Sequence, residues 1–285
     1  MSTTTVDQRT APGGAPAVST EQQSLLQASG TLVWRNLLHI RRMPEMLLDV
    51  TIQPVMFVLL FAYVFGGSIN VPDGFDYKEF LLPGIMVQTM VFSSFVVAIG
   101  LTADLEKGIV DRLRSLPISR QAVLVGRSIS SLLHSSIGIV VMAITGLLIG
   151  WRIREGALAA AAAFALLLAF GFAMIWVGIW VGSTFRSVEA VQGFMFTIMF
   201  PLTFLANTFA PTSEMPAWLR AMAEWNPVSA LTQACRELWG NGLAAPDSAH
   251  LPLQYPVLFT IGWVIVFTAV FAPMAVVAYR RRARD

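Results

Sequence analysis

Residues 80–103 read FLLPGIMVQTMVFSSFVVAIGLTA without one charged side chain, and at Asp104 the sequence turns to DLEKGIVDRLRSLPISR (104–120). A helix needs roughly 20 apolar residues to cross the hydrocarbon core of a bilayer. A charged segment directly after such a run is what the water boundary would carry. Working outward, five more windows lack Asp, Glu, Lys and Arg altogether: 50–72, 128–151, 156–185, 190–213 and 248–279. These predict transmembrane helices near 50–69, 80–103, 123–150, 157–183, 189–210 and 255–279. Helix is the expected form because each segment must satisfy its own backbone groups in lipid. The ten-residue, period-two segments of a membrane barrel are absent from the sequence.

The whole chain agrees with that reading. It has 285 residues, 55% of them hydrophobic and 13% charged, against roughly 25% charged in an ordinary soluble domain. A soluble enzyme, a disordered protein and a coiled coil are excluded on that ground. The net charge of +2 comes with no basic patch of the kind nucleic acid demands. Cys235 has no second cysteine to pair with and is expected to pack as a small apolar side chain. No cleavable signal peptide is expected, because residues 1–30 are polar and rich in Thr, Ser, Gly and Pro. Residues 1–20 read as a disordered cytoplasmic tail, and 21–285 as one six-span domain.

Six spans put both termini on one side. With the termini in the cytoplasm, fourteen of the 19 basic residues fall inside, and Lys78, Arg152, Arg154, Arg220 and Arg236 fall outside. The positive-inside tendency favours this orientation, with Arg152 and Arg154 as exceptions. Pro54, Pro83, Pro201, Pro256 and Pro273 mark kinks or span ends. Gly146/Gly150 and Gly178/Gly182 have the GxxxG spacing that lets two helices approach closely, within one chain or across a dimer.

The segments between the spans carry more information. Leu26, Val33, Leu37 and Ile40 share one helical face, with Arg35, His39 and Arg42 on another, predicting an amphipathic interface helix before Pro44. In 104–120, Leu105, Ile109, Leu113 and Leu116 recur at helical spacing, as do Asp104, Lys107, Asp111 and Arg114, with Lys107 and Asp111 placed to pair. That pattern predicts a short two-faced surface helix, suited to docking a cytoplasmic protein. Arg186 and Glu189 read as a surface pair. In 211–242, Pro216–Trp225 reads as one short helix. Asn226 caps a second, with Pro227 in its first position and Gly240-Asn241-Gly242 stopping it. Leu231, Ala234, Cys235 and Leu238 form its apolar face. Neither helix is long enough to span, so both are expected to be interfacial or re-entrant, on the outside.

The chemistry the sequence lacks matters as much. The only lysines are Lys78 and Lys107, and neither follows a glycine-rich phosphate loop. No metal-ligand spacing, nucleophile elbow or carboxylate cluster occurs. Arg127 lies near the inner end of span three and can snorkel. His134 and Glu189 leave open a proton-coupled secondary transporter, although the internal repeats usual in such folds are absent.

Several runs carry a family resemblance. They are Asp104-Leu105-Glu106-Lys107-Gly108 followed by Arg112-Leu113 and Leu116-Pro117-Ile118-Ser119-Arg120, then Phe80-Leu81-Leu82-Pro83-Gly84-Ile85, Phe200-Pro201-Leu202-Thr203-Phe204, Met215-Pro216-x-Trp218-Leu219, and Asn226-Pro227-Val228 with Arg236-Glu237-Leu238. In joint order these resemble the type-2 ABC exporter permeases, most of all the daunorubicin/doxorubicin resistance permeases, over residues 30–280. The resemblance implies a multi-pass permease subunit of a bacterial plasma membrane, exporting an amphipathic drug-like or lipid-like compound. It implies a separate ABC ATPase that holds ATP and Mg, with no cofactor in this chain, and a second permease copy in a 2+2 assembly within membrane lipid. The coupling surface would comprise Asp104, Leu105, Glu106, Lys107, Ile109, Asp111, Arg112, Leu113, Arg114 and Leu116. An extracellular gate would involve Met215, Trp218, Asn226, Pro227 and Arg236. Polar groups within spans tend to face the bundle interior, and aromatics and methionines make adaptable walls. Gln53, Gln88, Thr197 and Asn207, with Phe57, Met90 and Phe204, are therefore the expected lining of the path. Export of a lipid or glycan remains an alternative substrate class.

Overall fold

The computed structural model describes residues 44–64, 66, 76–107, 120–242 and 244–282; the side chains of 44–51, Gln53, 120–123 and Glu214 stand outside that description. The tail over 1–20, the interface helix before Pro44 and most of the predicted surface helix, 108–119, fall outside it as well. Among the described residues the secondary structure is helical throughout. The helices are α1 (Pro44–Val64), α2 (Tyr77–Glu106), α3 (Arg120–Ile149), α4 (Gly156–Thr184), α5 (Val188–Phe204), α6 (Ala217–Glu224), α7 (Pro227–Trp239), α8 (Leu251–Gln254) and α9 (Pro256–Arg282). Four of them, α2, α3, α4 and α9, are long and apolar enough to cross a membrane, while the described apolar stretches of α1 and α5 are shorter.

Local chemistry sets the helix ends. The Asp76 carboxylate accepts from the Lys78 backbone N–H (3.1 Å) at the start of α2, and Ser187 Oγ accepts from Ala190 N–H (3.2 Å) at the start of α5. Gly150 follows α3 with φ +111°, and the Trp151 N–H closes back on the Gly146 carbonyl at 2.9 Å. Gly146 and Gly150 are therefore not a packing pair: Gly146 lies under Leu82 of α2, whereas Gly150 supplies a turn that L-residues resist. Gly178 and Gly182 are a packing pair, and the contact is within the chain. A β-carbon at either would fall 2.2 Å from the Ser94 carbonyl oxygen or 2.6 Å from that of Ala98. Thr102 Oγ donates across the same seam to the Gly182 carbonyl (3.0 Å). With Met90 filling the space beside Gly171, this seam makes α4 the centre of the bundle, packed most extensively on α2 and α9.

Three expectations need correction. The fifth apolar run was expected to stay helical to 210, but α5 ends at Phe204 and 205–210 continue as irregular chain. Tertiary hydrogen bonds hold that chain: the Asn207 N–H donates to Ser229 Oγ (3.0 Å), and Leu202 and Thr208 offer carbonyls to other side chains. The helix over 227–239, expected to bury one apolar face of Leu231, Ala234, Cys235 and Leu238, buries Ser229, Thr232, Gln233 and Arg236 as well, with Glu237 and Leu238 half-buried, and packs on α2, α4 and α9. Arg186 and Glu189 make no ion pair. The α4–α5 turn is instead held by Glu106, whose carboxylate accepts from the Val188 N–H (3.1 Å), and by Arg282, which donates to the Phe185 and Arg186 carbonyls.

Candidate functional site

Consecutive long helices run antiparallel, so the chain has two ends. One gathers Asp104, Glu106, Lys107, Arg127, Arg186 and Arg280–Arg282; the other gathers Glu79, Arg154, Glu224 and Arg236. α2 runs between them.

At the first end only the start of the expected coupling segment is described. Asp104 and Arg127 form an ion pair, so Arg127 meets a partner on α2 instead of reaching alone to the boundary. With the Glu106 contact to Val188, the last turn of α2 is tied to both α3 and α5. Leu105 packs on a small cluster built from Val97, Leu101, Leu124, Ile175 and Tyr279, and Lys107 closes the helix. Ile109, Asp111, Arg112, Leu113, Arg114 and Leu116 lie outside the described residues.

At the second end Arg236 is the centre. Its side chain is 2% exposed. Nε donates to the Phe80 carbonyl (2.9 Å), and Nη2 donates to the carbonyls of Asn207 (2.8 Å) and Thr208 (3.2 Å). The guanidinium also lies 3.5 Å from the centre of the Phe80 ring. Burial pushes its pKa down to about 9, which leaves it protonated at neutral pH. Gly84 explains why this assembly closes. A β-carbon there would stand 2.7 Å from the Thr208 carbonyl oxygen, so only glycine lets the 205–210 chain lie against α2. Pro83 removes one backbone donor from the same turn.

The rest of α7 is pinned around that centre. Asn226 Oδ1 accepts from the Val228 N–H (2.8 Å), and its Nδ2 donates to the Leu202 carbonyl (2.6 Å). Gly240, at φ +69°, ends the helix and lets the Asn241 N–H return to the Arg236 carbonyl (2.8 Å). Asn241 then accepts from Trp151 Nε1 (2.7 Å) and donates to the Arg152 carbonyl (2.8 Å), while Arg154 pairs with Glu79 at 2.7 Å. Arg152 and Arg154, exceptional by charge alone, sit in the loop that holds α7 in place. Sequence reasoning missed Asn241, Glu79 and Glu224. Glu224, almost fully buried, accepts from Thr212 Oγ (3.0 Å) and from the His250 backbone N–H (2.7 Å), with His250 Nδ1 at 2.8 Å. α6 behaves differently from α7: Trp218 and Met222 on it and Trp225 just past its end form an exposed stripe, and Met215 precedes it half-buried.

The expected path residues divide into two groups. Gln88, Met90 and Asn207 are buried inside the single chain, and Gln88 Oε1 and Asn207 Oδ1 have no hydrogen-bond partner. Phe57, Thr197 and Phe204 lie on or beside a ladder of rings that joins α1 to α5. It runs Phe57–Phe61 (4.8 Å), Phe61–Phe209 (4.9 Å), Phe209–Phe204 (5.2 Å), Phe204–Phe200 (4.2 Å) and Phe200–Phe196 (5.0 Å) between centroids. Phe196, Phe200 and Phe204 are each more than 40% exposed. The i, i+4 spacing of phenylalanine along 196–204 was the signal for the extra rungs.

The sequence profile of the ABC-2 type transporter family matches residues 27–238, most of the chain. The chain belongs to the ABC-2 type transporter family. The daunorubicin resistance ABC transporter permease protein DrrB1 of Streptomyces coeruleorubidus is 31% identical over 277 residues, covering 95% of this chain and 90% of that protein. The probable doxorubicin resistance ABC transporter permease protein DrrC of Mycobacterium tuberculosis is 22% identical, over 80% of this chain and 79% of its own length. A putative transport permease of Porphyra purpurea, ycf38, is 26% identical over 76% of this chain and 75% of its own. The chain is therefore an ABC-2 membrane protein whose relatives are named as permeases, and the Arg236 assembly lies within the matched region.

Proposed function

We propose that this chain is the permease subunit of an ATP-driven exporter, moving an amphipathic drug-like or lipid-like compound out of a bacterial cell. The observation that carries the reading is that α2 is fastened at both ends. Asp104 and Glu106 tie its last turn to α3 and α5. Phe80 and Gly84 seat the other end against Arg236 and Thr208. A helix of 30 residues is about 45 Å long. Force applied near 104–116 would travel along it as a rigid displacement and arrive at α7.

In this reading six helices span the membrane, α1 and α5 included, and both termini face the cytoplasm. A separate ATPase supplies ATP and Mg chemistry, docking on 104–116 and on the interface helix before Pro44. Two permease copies pair across α1 and α5, where the phenylalanine ladder lines the path between them with flat apolar surface. Gln88 and Asn207 have buried polar atoms without partners among the described residues, available when α2 shifts. On the outside, α6 rests its Trp218–Trp225 stripe in the interface while α7 plugs the exit.

The test is reconstitution in liposomes with a co-encoded ATPase, using daunorubicin as the probe. ATP-dependent transport is expected, with ATPase activity uncoupled from it in Glu106→Lys and Leu113→Asp variants that remain membrane-inserted. Transport by the isolated chain on a proton gradient, or normal coupling in both variants, would overturn the proposal.

A further inference from the structure

Between the last turns of α4 and α9 lies a groove of about 540 Å³. Its walls are apolar: Trp180, held by a tilted contact with Phe271 (5.4 Å), faces Pro273, Met274 and Val277. Its rim is cationic, with Arg186 from the α4–α5 turn and Arg281 and Arg282 from the end of α9. Among the described residues no acidic side chain lines it. Arg282 is committed to the backbone, donating to the Phe185 and Arg186 carbonyls where α4 ends. Arg186 and Arg281 are exposed and make no ion pair with a described residue. Guanidinium groups sharing one rim repel one another unless an anion joins them.

An independent observation points the same way. Ser183 lines the groove, is almost wholly buried, and its hydroxyl has no hydrogen-bond partner among the described residues. Serines elsewhere in the bundle donate back into their own helix, as Ser128 does to Leu124 (2.9 Å) and Ser136 to Leu132 (2.7 Å). A buried hydroxyl without such a bond is destabilising until something accepts from it.

We propose that this groove is a binding site for an anionic phospholipid. The planar forks of Arg186 and Arg281 suit a phosphate diester. Ser183 donates to an oxygen of the same lipid, and the acyl chains lie along Trp180, Met274 and Val277. A soluble anion would use the rim and leave the apolar walls bare, whereas a zwitterionic lipid would set its own cation against three arginines. The site needs only that the chain sits in a bilayer, and it is independent of how transport is driven.

Native mass spectrometry of the full chain, released from detergent and titrated with dioleoylphosphatidylglycerol or dioleoylphosphatidylcholine, tests this. Phosphatidylglycerol should be retained at least about tenfold more strongly, given two arginine contacts at a membrane surface. The Arg186→Gln/Arg281→Gln variant should lose that preference. Arg280→Gln, exposed on the same helix but outside the groove, should keep it. Ala278→Trp fills the groove without touching charge, and should weaken retention even if the double variant fails to fold. Equal binding of the two lipids overturns the proposal, as does full retention by either groove variant or equal loss in Arg280→Gln. Thermal stabilisation by inorganic phosphate alone matching that by phosphatidylglycerol would make this an anion site, and would overturn the lipid assignment.

Discussion

Arg236 is surrounded by three backbone carbonyls and a phenyl face, with no carboxylate among its hydrogen-bond partners in the described residues. Dipoles of this kind stabilise a cation only while their geometry holds, so the site joins α2, the 205–210 chain and α7 into one object. Arg236→Met should leave those oxygens without donors and destabilise the protein by about 3 kcal/mol or more. Arg236→Lys should recover part of that, because one ammonium cannot bridge the positions a planar fork joins. Melting temperatures in detergent, compared across the three proteins, check the order. Gly84→Val forces a side chain into the Thr208 backbone, and a loss of about 1–3 kcal/mol is expected for such overpacking. The same measurement reads it, and an unchanged melting temperature would mean that the 205–210 chain yields.

At the scale of elements, the proposed coupling gives the two ends of α2 different duties. Arg127→Ala should leave folding nearly intact, since the Asp104 pair is part-exposed and worth about 1 kcal/mol or less. It should nevertheless lower transport per ATP hydrolysed, because the last turn of α2 is then released from α3. Measuring transport and hydrolysis on the same liposomes separates the two effects, and parallel loss of both would assign the pair a merely structural role. The elements were legible to different depths. Asn226, Pro227 and Gly240 announced the limits of α7, because capping is decided within a few residues. The burial of α7 was not legible. Ser229, Thr232, Gln233 and Arg236 look like a water-facing set, and the carbonyls that satisfy Arg236 come from Phe80, Asn207 and Thr208, far off in sequence. The end of α5 was hidden for a related reason: Leu205, Ala206 and Phe209 prolong the apolar run while tertiary bonds draw the backbone out of helix. Gly178 and Gly182 could be read as a close-approach pair, but which surface they approach was settled only by Ser94 and Ala98.

For the molecule as a whole, the proposal that two copies meet across α1 and α5 makes a clean experiment possible. Cys235, the single cysteine, is buried, and burial pushes its thiol up to about 12, so it should stay inert to bifunctional thiol reagents. Thr197→Cys or Phe200→Cys should therefore give a crosslinked dimer in membranes, whereas Leu148→Cys and Ile265→Cys, exposed on α3 and α9, should not. Crosslinking only at the latter positions would place the partner on another face. The enclosure of α7 also bears on how the protein is made. α9 helps enclose α7, yet a ribosome finishes Arg236 before the first residue of α9 has been polymerised. During that interval α7 can settle on α2 and α4, but the side that α9 covers stays open to chaperones and proteases until the last long helix arrives. Biogenesis of this protein therefore ends with a closure step, and a nascent chain stalled before Pro256 would leave the α9-facing side of α7 uncovered for quality control to find.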